Sequence, residues 1–519
     1  MAEDSPEPLV FLVGAGPGDP GLLTLRAVDL LRRAHLVVYD QLVPKRMLDF
    51  ANPEAEVICV RDLPGLHPDK YPHIYTLMIE AARAGRTVVR LKGGDPLIFG
   101  RGGEEAEQMR EAGIAYEIVP GVTAALAAAA YLDIPLTHRM HTSAVALITG
   151  HELPQKPGNK IDWEQIARFP GTLAIYMGIA RLTVLVAELI RFGKDPDTPA
   201  IIVERASTGE MRSVTARLED LEAVRRSAGL EAPGLILIGE AVRHRMPASW
   251  FERKPLFGRR VLVTRPRHQA EEMIRKLELL GAVPHVLPTM TITEPDDFGP
   301  LDDALNQLPN GWQWIVFTSA NGVQGFFKRL LSRGQDLRML GNVKFAAIGP
   351  KTAEALRHYH LNADVVPDST FSSEGLVDSL RDAVRGQRVL LARANRGREL
   401  LREQLAEVAE VEQVTVYCQS DAVDVNAEAY GSLRRGEIEF VTLSSSNIAR
   451  ALLNTFDETL RGRVQRRVIK LVAISPVTGD AIRSCGLEVA AEATTYTTDG
   501  MIEAIIQLAA EPRDPDDEP

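Results

Sequence analysis

The stretch Val10 to Ala27, VFLVGAGPGDPGLLTLRA, decides the class of fold. VFLVG is an unbroken apolar run of strand length, and LLTLRAVDLLRRA (22–34) repeats apolar residues at helical spacing. Between them, Gly14, Gly16 and Gly18 allow a tight turn and the close approach of a ligand. Strand, glycine turn and helix are the opening of a βαβ unit. LVVYD, TVVRLKGGD, YEIVPG, AVALITG, TLAIYMG, PAIIVE and GLILIGE then read as further strands between helical patterns. An α/β chain is expected, its parallel sheets covered by helices on both faces. Around HRMPASWFERKPLFG (244–258) prolines and basic residues break the rhythm, and VLVTRP opens a new strand. The main boundary therefore falls near 248–258.

At about 150 residues per domain, 519 residues make three to four domains with ample core. Apolar residues are 45% and charged residues 25%, the balance of a folded chain rather than a disordered one. A net charge of −11 argues against a general nucleic-acid or anionic-membrane binder but leaves room for local basic pockets. Cys59, Cys418 and Cys485 are odd in number and far apart, so no disulfide framework or zinc cluster is expected and a reducing cytoplasm is the default. The acidic opening MAEDSPEP has no basic n-region, and the longest apolar run, Ala124 to Leu132, is too short for a bilayer. Residues 511–519 read as an acidic, Pro-rich tail.

A dinucleotide site is the first chemistry to test on the opening turn. It asks for G-x-G-x-x-G and an acid about 20 residues further on. Gly14 and Gly16 fill the first two positions and Asp40 ends the second strand, but Asp19 stands at the third glycine. Pro17 and Pro20 also remove backbone donors that would cradle a pyrophosphate. An NAD-dependent dehydrogenase is carried as an alternative. Four more blocks sit at strand ends, where parallel sheets bind ligands. They are LKGGDPLIFGRGGEE (91–105), VPGVTAALAAAAYLDIPLTHR (119–139), ITGH (148–151) and YMG (176–178).

Together, GAGPGDPGLLTLRA, VVYDQLV, RLKGGDPLIFGRGGEE, PGVTAA and IPLTHR resemble the tetrapyrrole methylase family over about 8–245, with uroporphyrinogen-III C-methyltransferases the nearest likeness. The resemblance implies two α/β subdomains, split near 138–143, with S-adenosylmethionine between them, and a homodimer. By position it assigns the cofactor to Pro17, Gly93, Gly94, Asp95, Ile98, Thr123, Ala124, Met177 and Ala206. Asp40 would be the catalytic base and Arg139 a substrate contact. The chemistry is coherent: a reduced macrocycle is an electron-rich carbon nucleophile, the sulfonium is a good electrophile, and alignment supplies much of the rate. A carboxylate then takes up the displaced proton. The family's V-G-K-R lysine, a proposed proton donor, is absent: CVRDLPG puts Asp62 there, beside Arg61. A Pro-Gln pair after the next His is also missing, since His67 leads into PDKYPH; Arg61 or Lys70 are the substitutes on offer.

The second half repeats itself. FTSANGV (317–323) resembles LSSSNIA (443–449), and FAAIGPKTAEAL (345–356) resembles LVAISPVTGDAI (471–482), both at an offset of 126. VLVTRP and VLLARA match at an offset of 128. Two similar α/β lobes around a cleft are expected. HYH (358–360) reads as a helix-end surface feature. Arg265 and Arg267 follow one strand, Arg393, Arg396 and Arg398 another, and Lys351 follows IGP. Repeated Arg at strand ends in an acidic chain suits a polycarboxylate.

VLVTRP, WIVFTSANGV, AAIGPKTAEAL, VTVY, VTLSSSN and ISPVTGDAI resemble uroporphyrinogen-III synthases over about 258–510. That family implies two flavodoxin-like lobes, here 258–288 with 420–510 and the inserted 289–419, joined to the first half by a linker at 246–257. It implies that linear hydroxymethylbilane is closed with inversion of the last ring. Tyr417 matches the family's most implicated side chain, and Ser319, Lys351, Thr352, Ser445 and Thr478 join Arg265, Arg393 and Arg396 as substrate candidates. The two halves would then be consecutive steps, yielding uroporphyrinogen III and, by methylation at two carbons, precorrin-2 on the sirohaem or cobalamin route. A first half reduced to a binding or regulatory module is the second alternative.

Overall fold

A computed structural model of the chain describes residues 9–65, 70–151, 161–368, 371–397 and 399–511. His67, Arg398 and 512–519 lie outside the described residues, and so does the side chain of Lys70. Two compact units divide the chain. The first runs to Val261 and takes in Ile274–Pro284 and Ala509–Pro512; the second holds Leu262–Met273 and His285–Leu508.

The first sheet contains β1 (Val10–Gly14), β2 (Leu36–Tyr39), β3 (Glu56–Cys59), β4 (Val88–Lys92) and β5 (Tyr116–Val119), all parallel, in the order β3-β2-β4-β1-β5. Alternate residues of β1 serve opposite faces, as a strand buried on both sides requires. Phe11 and Val13 pack with Ala27, Leu30 and Leu31 of the helix Leu25–Arg33. Val10 and Leu12 pack with Ile74 and Met78 of one helix and Met109 of another. This order overturns the dehydrogenase alternative. A dinucleotide fold sets its first strand between the second and fourth, whereas here β4 lies between β2 and β1.

The second sheet contains β6 (Val145–Thr149), β7 (Thr172–Tyr176), β8 (Pro199–Glu204), β9 (Arg212–Arg217) and β10 (Gly234–Ile238), in the order β6-β7-β10-β8-β9. Only β6 and β7 are parallel; the other neighbours are antiparallel, so this sheet is mixed rather than parallel. The cause is local: a short loop between β8 and β9 cannot make a crossover. The segment expected as a linker, 246–257, is folded. Phe251 is buried against Tyr131, Trp250 Nε1 donates to Ala130 O at 2.9 Å, and Ser249 is fully buried.

Beyond residue 259 the chain carries β11 (Arg260–Val263), β12 (Val283–Val286), β13 (Met290–Thr293), β14 (Trp314–Phe317), β15 (Lys344–Ala347), β16 (Arg388–Ala394), β17 (Glu410–Asp421), β18 (Phe440–Leu443), β19 (Lys470–Ala473) and β20 (Ala491–Glu492). They form two sheets, β12-β11-β18-β19-β20 and β13-β17-β16-β14-β15. The first order is that of flavodoxin. The second has the same parallel heart with β13 added antiparallel at one edge. Two passes of chain run between the sheets side by side: Thr289 N donates to Thr264 O, and Ala422 N to Thr289 O at 3.0 Å. The sequence repeat is one strand–cap–helix corner used twice. Ser319 accepts from Gly322 N at 3.0 Å, and Ser445 accepts from Ile448 N at 3.3 Å.

Candidate active sites

In the first unit the loops beyond β1, β4 and β5 meet main chain to main chain. Gly16 and Gly94 exchange hydrogen bonds of 3.1 and 2.8 Å. A Cβ on Gly121 would lie 2.2 Å from Gly94 O, and one on Gly14 would lie 2.6 Å from the Gly121 backbone. Gly94, at φ +66°, has the start of the helix Ala124–Tyr131 beside it: Thr123 Cα and Ala124 N lie 3.7 and 3.8 Å from its ideal Cβ position. Tyr176, at the end of β7, accepts from Ala125 N at 3.0 Å and shares a 2.7 Å hydrogen bond with Thr123 Oγ1. That bond sets Met177, exposed at φ +53°, near the same helix start. Phe99 packs on the Tyr176 ring at 4.9 Å and carries Ile98 with it. A Cβ on Gly18 would meet Ala206 O at 3.3 Å, so the glycine turn touches the segment 206–208.

The loops that carry Gly94, Asp95, Thr123 and Ala124 thus meet at one sheet edge, with Tyr176 beside them. Asp95 has a different first task from the one expected. Its Oδ1 accepts from Leu97 N at 2.8 Å and its Oδ2 from Gly121 N at 3.0 Å, so it fastens two loops together. Asp19, at the missing third glycine, caps the turn Pro20–Leu22 through Gly21 N and accepts the Tyr131 hydroxyl.

Asp40 directly follows β2 and is half-buried. Beneath it lies a charge cluster that the strand patterns concealed. Arg90, Lys92 and Glu105 are 1%, 2% and 0% exposed. Arg90 bonds Asp40 Oδ1 through Nη2 and Glu105 through Nε at 2.9 Å. Lys92 Nζ reaches Glu105 at 2.8 Å and Asp40 Oδ2 at 3.7 Å. Glu105 Oε2 is buried with no hydrogen-bond partner. Burial, then the adjacent Arg90 guanidinium, pull Lys92 below the ordinary lysine range. Among the described residues Lys92 is the lysine that pairs with Asp40. Asp62 and Arg61 are exposed on the turn after β3, their charges 3.6 Å apart. The available signal was a pair of cations inside an otherwise apolar strand. Arg139 is exposed in a turn beyond the same helix.

In the second unit, Tyr417 lies where β17 bulges. Arg393 pairs with Thr415 and Ala394 with Tyr417, leaving Val416 as the extra residue. The bulge sends both Val416 and Tyr417 into one core. The Tyr417 hydroxyl shares a 3.0 Å bond with Ser319 and accepts from Gln419 Nε2 at 3.3 Å. Burial pushes this phenol above the ordinary tyrosine range. A cavity of about 190 Å³ opens beside it, lined by Thr318, Arg393, Arg396, Tyr417 and Gln419. Arg393 is 6% exposed and donates to Gln413 at 3.3 Å; Arg396 pairs with Asp421 at 2.6 Å, and its buried Nε has no hydrogen-bond partner. The remaining candidates separate. Thr352 and Thr478 are buried inside helix starts, which makes them packing residues. Lys351 is exposed and pairs with Glu272 at 3.4 Å. Arg265 donates to Thr498 at 3.3 Å, and burial lowers its pKa.

Two family models match the chain: Tetrapyrrole (Corrin/Porphyrin) Methylases over 9–222, and Uroporphyrinogen-III synthase HemD over 271–503. The porphyrin biosynthesis protein HemD of Ruminiclostridium josui is 33% identical over 504 residues, 96% of this chain and 98% of that one. The uroporphyrinogen-III C-methyltransferase of Bacillus subtilis is 37% identical over 361 residues, 70% of this chain and 74% of its own. An S-adenosyl-L-methionine-dependent uroporphyrinogen III methyltransferase of Methanosarcina barkeri is 44% identical over 233 residues, 45% of this chain and 91% of that protein.

Proposed function

This chain belongs to the tetrapyrrole methylase family in its first half and to the uroporphyrinogen-III synthase family in its second, and we propose that the two halves act in sequence on one macrocycle. The second unit closes hydroxymethylbilane to uroporphyrinogen III. The first methylates that product at two ring carbons to precorrin-2, which serves sirohaem or cobalamin. The observation that carries the proposal is Asp40, held by Arg90 and Lys92 at the sheet edge where the glycine loops gather.

S-adenosylmethionine supplies the methyl group as an electrophile. Gly93 and Gly94, without side chains, and the Thr123–Ala124 helix start suit a ligand that must approach main chain closely. Methylation leaves the attacked ring carbon quaternary and the macrocycle cationic; Asp40 takes the proton that the macrocycle then loses from a neighbouring position as its double bonds shift, and Arg90 keeps its carboxylate oriented. Lys92 lies near enough to Asp40 to steady the same carboxylate. In the second unit Tyr417, protonated because it is buried, donates to the departing hydroxyl. Arg396, at the cavity wall, holds a substrate carboxylate. Association of two copies through the first unit is part of the same proposal. Among the described residues no helix is long and apolar enough to cross a membrane.

The test is incubation with hydroxymethylbilane and S-adenosylmethionine, followed by product masses and isomer analysis. Uroporphyrinogen III followed by a dimethylated product is expected. Cyclisation without methylation would leave the first half as a binding module, and sedimentation as a monomer would reject the dimer.

A further inference from the structure

Outside the groups described above, three histidines of the first unit converge. His138 and His141 sit in a turn that its backbone closes: His138 N donates to Thr142 O at 2.7 Å, Thr142 N to His138 O at 2.9 Å, and His141 N to His138 O at 3.0 Å. His244 ends the short 3-10 helix Glu240–His244, more than a hundred residues later in the chain. The ring centroids lie 4.7 Å apart for His138–His141, 4.5 Å for His138–His244 and 5.1 Å for His141–His244. One nitrogen from each ring lies within 4.8 Å of the other two. Among the described residues this is the only group of three or more potential metal-ligating side chains so placed.

We propose that His138, His141 and His244 form a binding site for a borderline divalent transition-metal ion such as Zn²⁺ or Co²⁺. Imidazole suits these ions, and tetrahedral coordination at about 2.0–2.1 Å needs nitrogens roughly 3.4 Å apart. His141 is exposed and so can swing inward by the ångström or so required. The backbone-pinned turn holds two ligands in place before an ion arrives, which lowers the ordering cost of binding. His138 Nδ1 accepts from Met140 N at 3.2 Å, a long contact that coordination through this atom displaces. Three protein nitrogens leave a fourth position for water. Arg139 lies between two ligands, so the ion also fixes the backbone that carries this candidate substrate contact.

The full chain, made without an affinity tag and stripped by chelator, is titrated with Co²⁺ and followed by its visible d–d absorption. A single saturable site with a tetrahedral spectrum, displaced by Zn²⁺, is expected. His141→Gln and His244→Gln each weaken it at least tenfold, and the double variant abolishes the spectrum. His141→Gln alters an exposed side chain, so folding is retained, and a thermal melt without metal verifies this. An unchanged cobalt spectrum in the double variant, or no spectrum in the parent, overturns the proposal.

Discussion

At the carboxyl edge of the first sheet, Gly14, Gly94 and Gly121 touch through main-chain atoms. In the inserted lobe, by contrast, the surroundings of Tyr417 are set by the side chains of Ser319, Gln419, Arg393 and Arg396. Main chain against main chain leaves no room for any residue but glycine, and it writes a rigid sequence signature. Side chains of similar reach can replace one another, so a site built from them leaves a diffuse one. The two sites should accordingly differ in how they tolerate change.

The largest effect is expected at the proposed base, whose role no other side chain beside it duplicates. Asp40→Asn should lower the methyl-transfer rate by about 10²–10⁴. S-adenosylmethionine affinity by calorimetry should stay within about twofold, because Asp40 faces Arg90 and Lys92 rather than the glycine loops. A matching loss of affinity would merge the two functions that the geometry keeps apart.

Gly121→Ala comes next. Its Cβ would overlap Gly94 O at 2.2 Å, and backbone cannot step aside cheaply. We expect about 3 kcal/mol lost from the stability of the first unit, with cofactor affinity falling about a hundredfold. Gly322→Ala is the counterpart in the second unit, where the nearest backbone oxygen is 3.2 Å away. It should cost little by chemical denaturation. Equal costs at the two positions would break the comparison.

Tyr417→Phe removes one hydroxyl from a site with other donors, so cyclisation should fall about tenfold, the worth of one hydrogen bond. The pH profile sharpens the point. Burial raises this pKa, so the neutral phenol persists in the folded protein above the unfolded value of about 10. Its contribution to stability is therefore intact below about pH 10 and is lost as pH rises through the folded value. The difference between melts of the parent and Tyr417→Phe should be constant below about pH 10, and the parent should lose stability relative to the variant above it.

Arg396→Gln is the smallest. The side chain is about a third exposed and already paired with Asp421, so the Michaelis constant for hydroxymethylbilane should rise about three- to fivefold. Added salt should mimic the change. Indifference to both would return Arg396 to the solvated surface.

The same contrast explains what was legible beforehand. The glycine turns and the repeated Ser-capped corners are local patterns, and they could be read from neighbouring residues. The Arg90–Lys92–Glu105 cluster was not, because two buried cations in TVVRLKGGD make sense only once Glu105 is seen to pack beneath them. The direction of β8, β9 and β10 depends on pairing that no strand pattern states. Thr352 and Thr478 lie in loop-like motifs yet turn inward, since each begins a helix whose first turn is buried. Residues 246–257, rich in Pro and charge, read as a linker, but Trp250 and Phe251 anchor them.

The sheet β12-β11-β18-β19-β20 draws strands from both sides of the inserted lobe. During synthesis the chain emerges from its N terminus onward. The strands β13 to β17 form an uninterrupted stretch of chain, so their lobe can fold as soon as Asp421 has left the ribosome. The sheet that begins at Arg260 must wait for β18 to β20, more than 170 residues later. Strand β11 meanwhile lacks β18, the strand that flanks it in the finished sheet. Strands made after the inserted lobe are thus what complete a sheet begun before it, and a nascent chain stalled before β18 would be the form most in need of a chaperone.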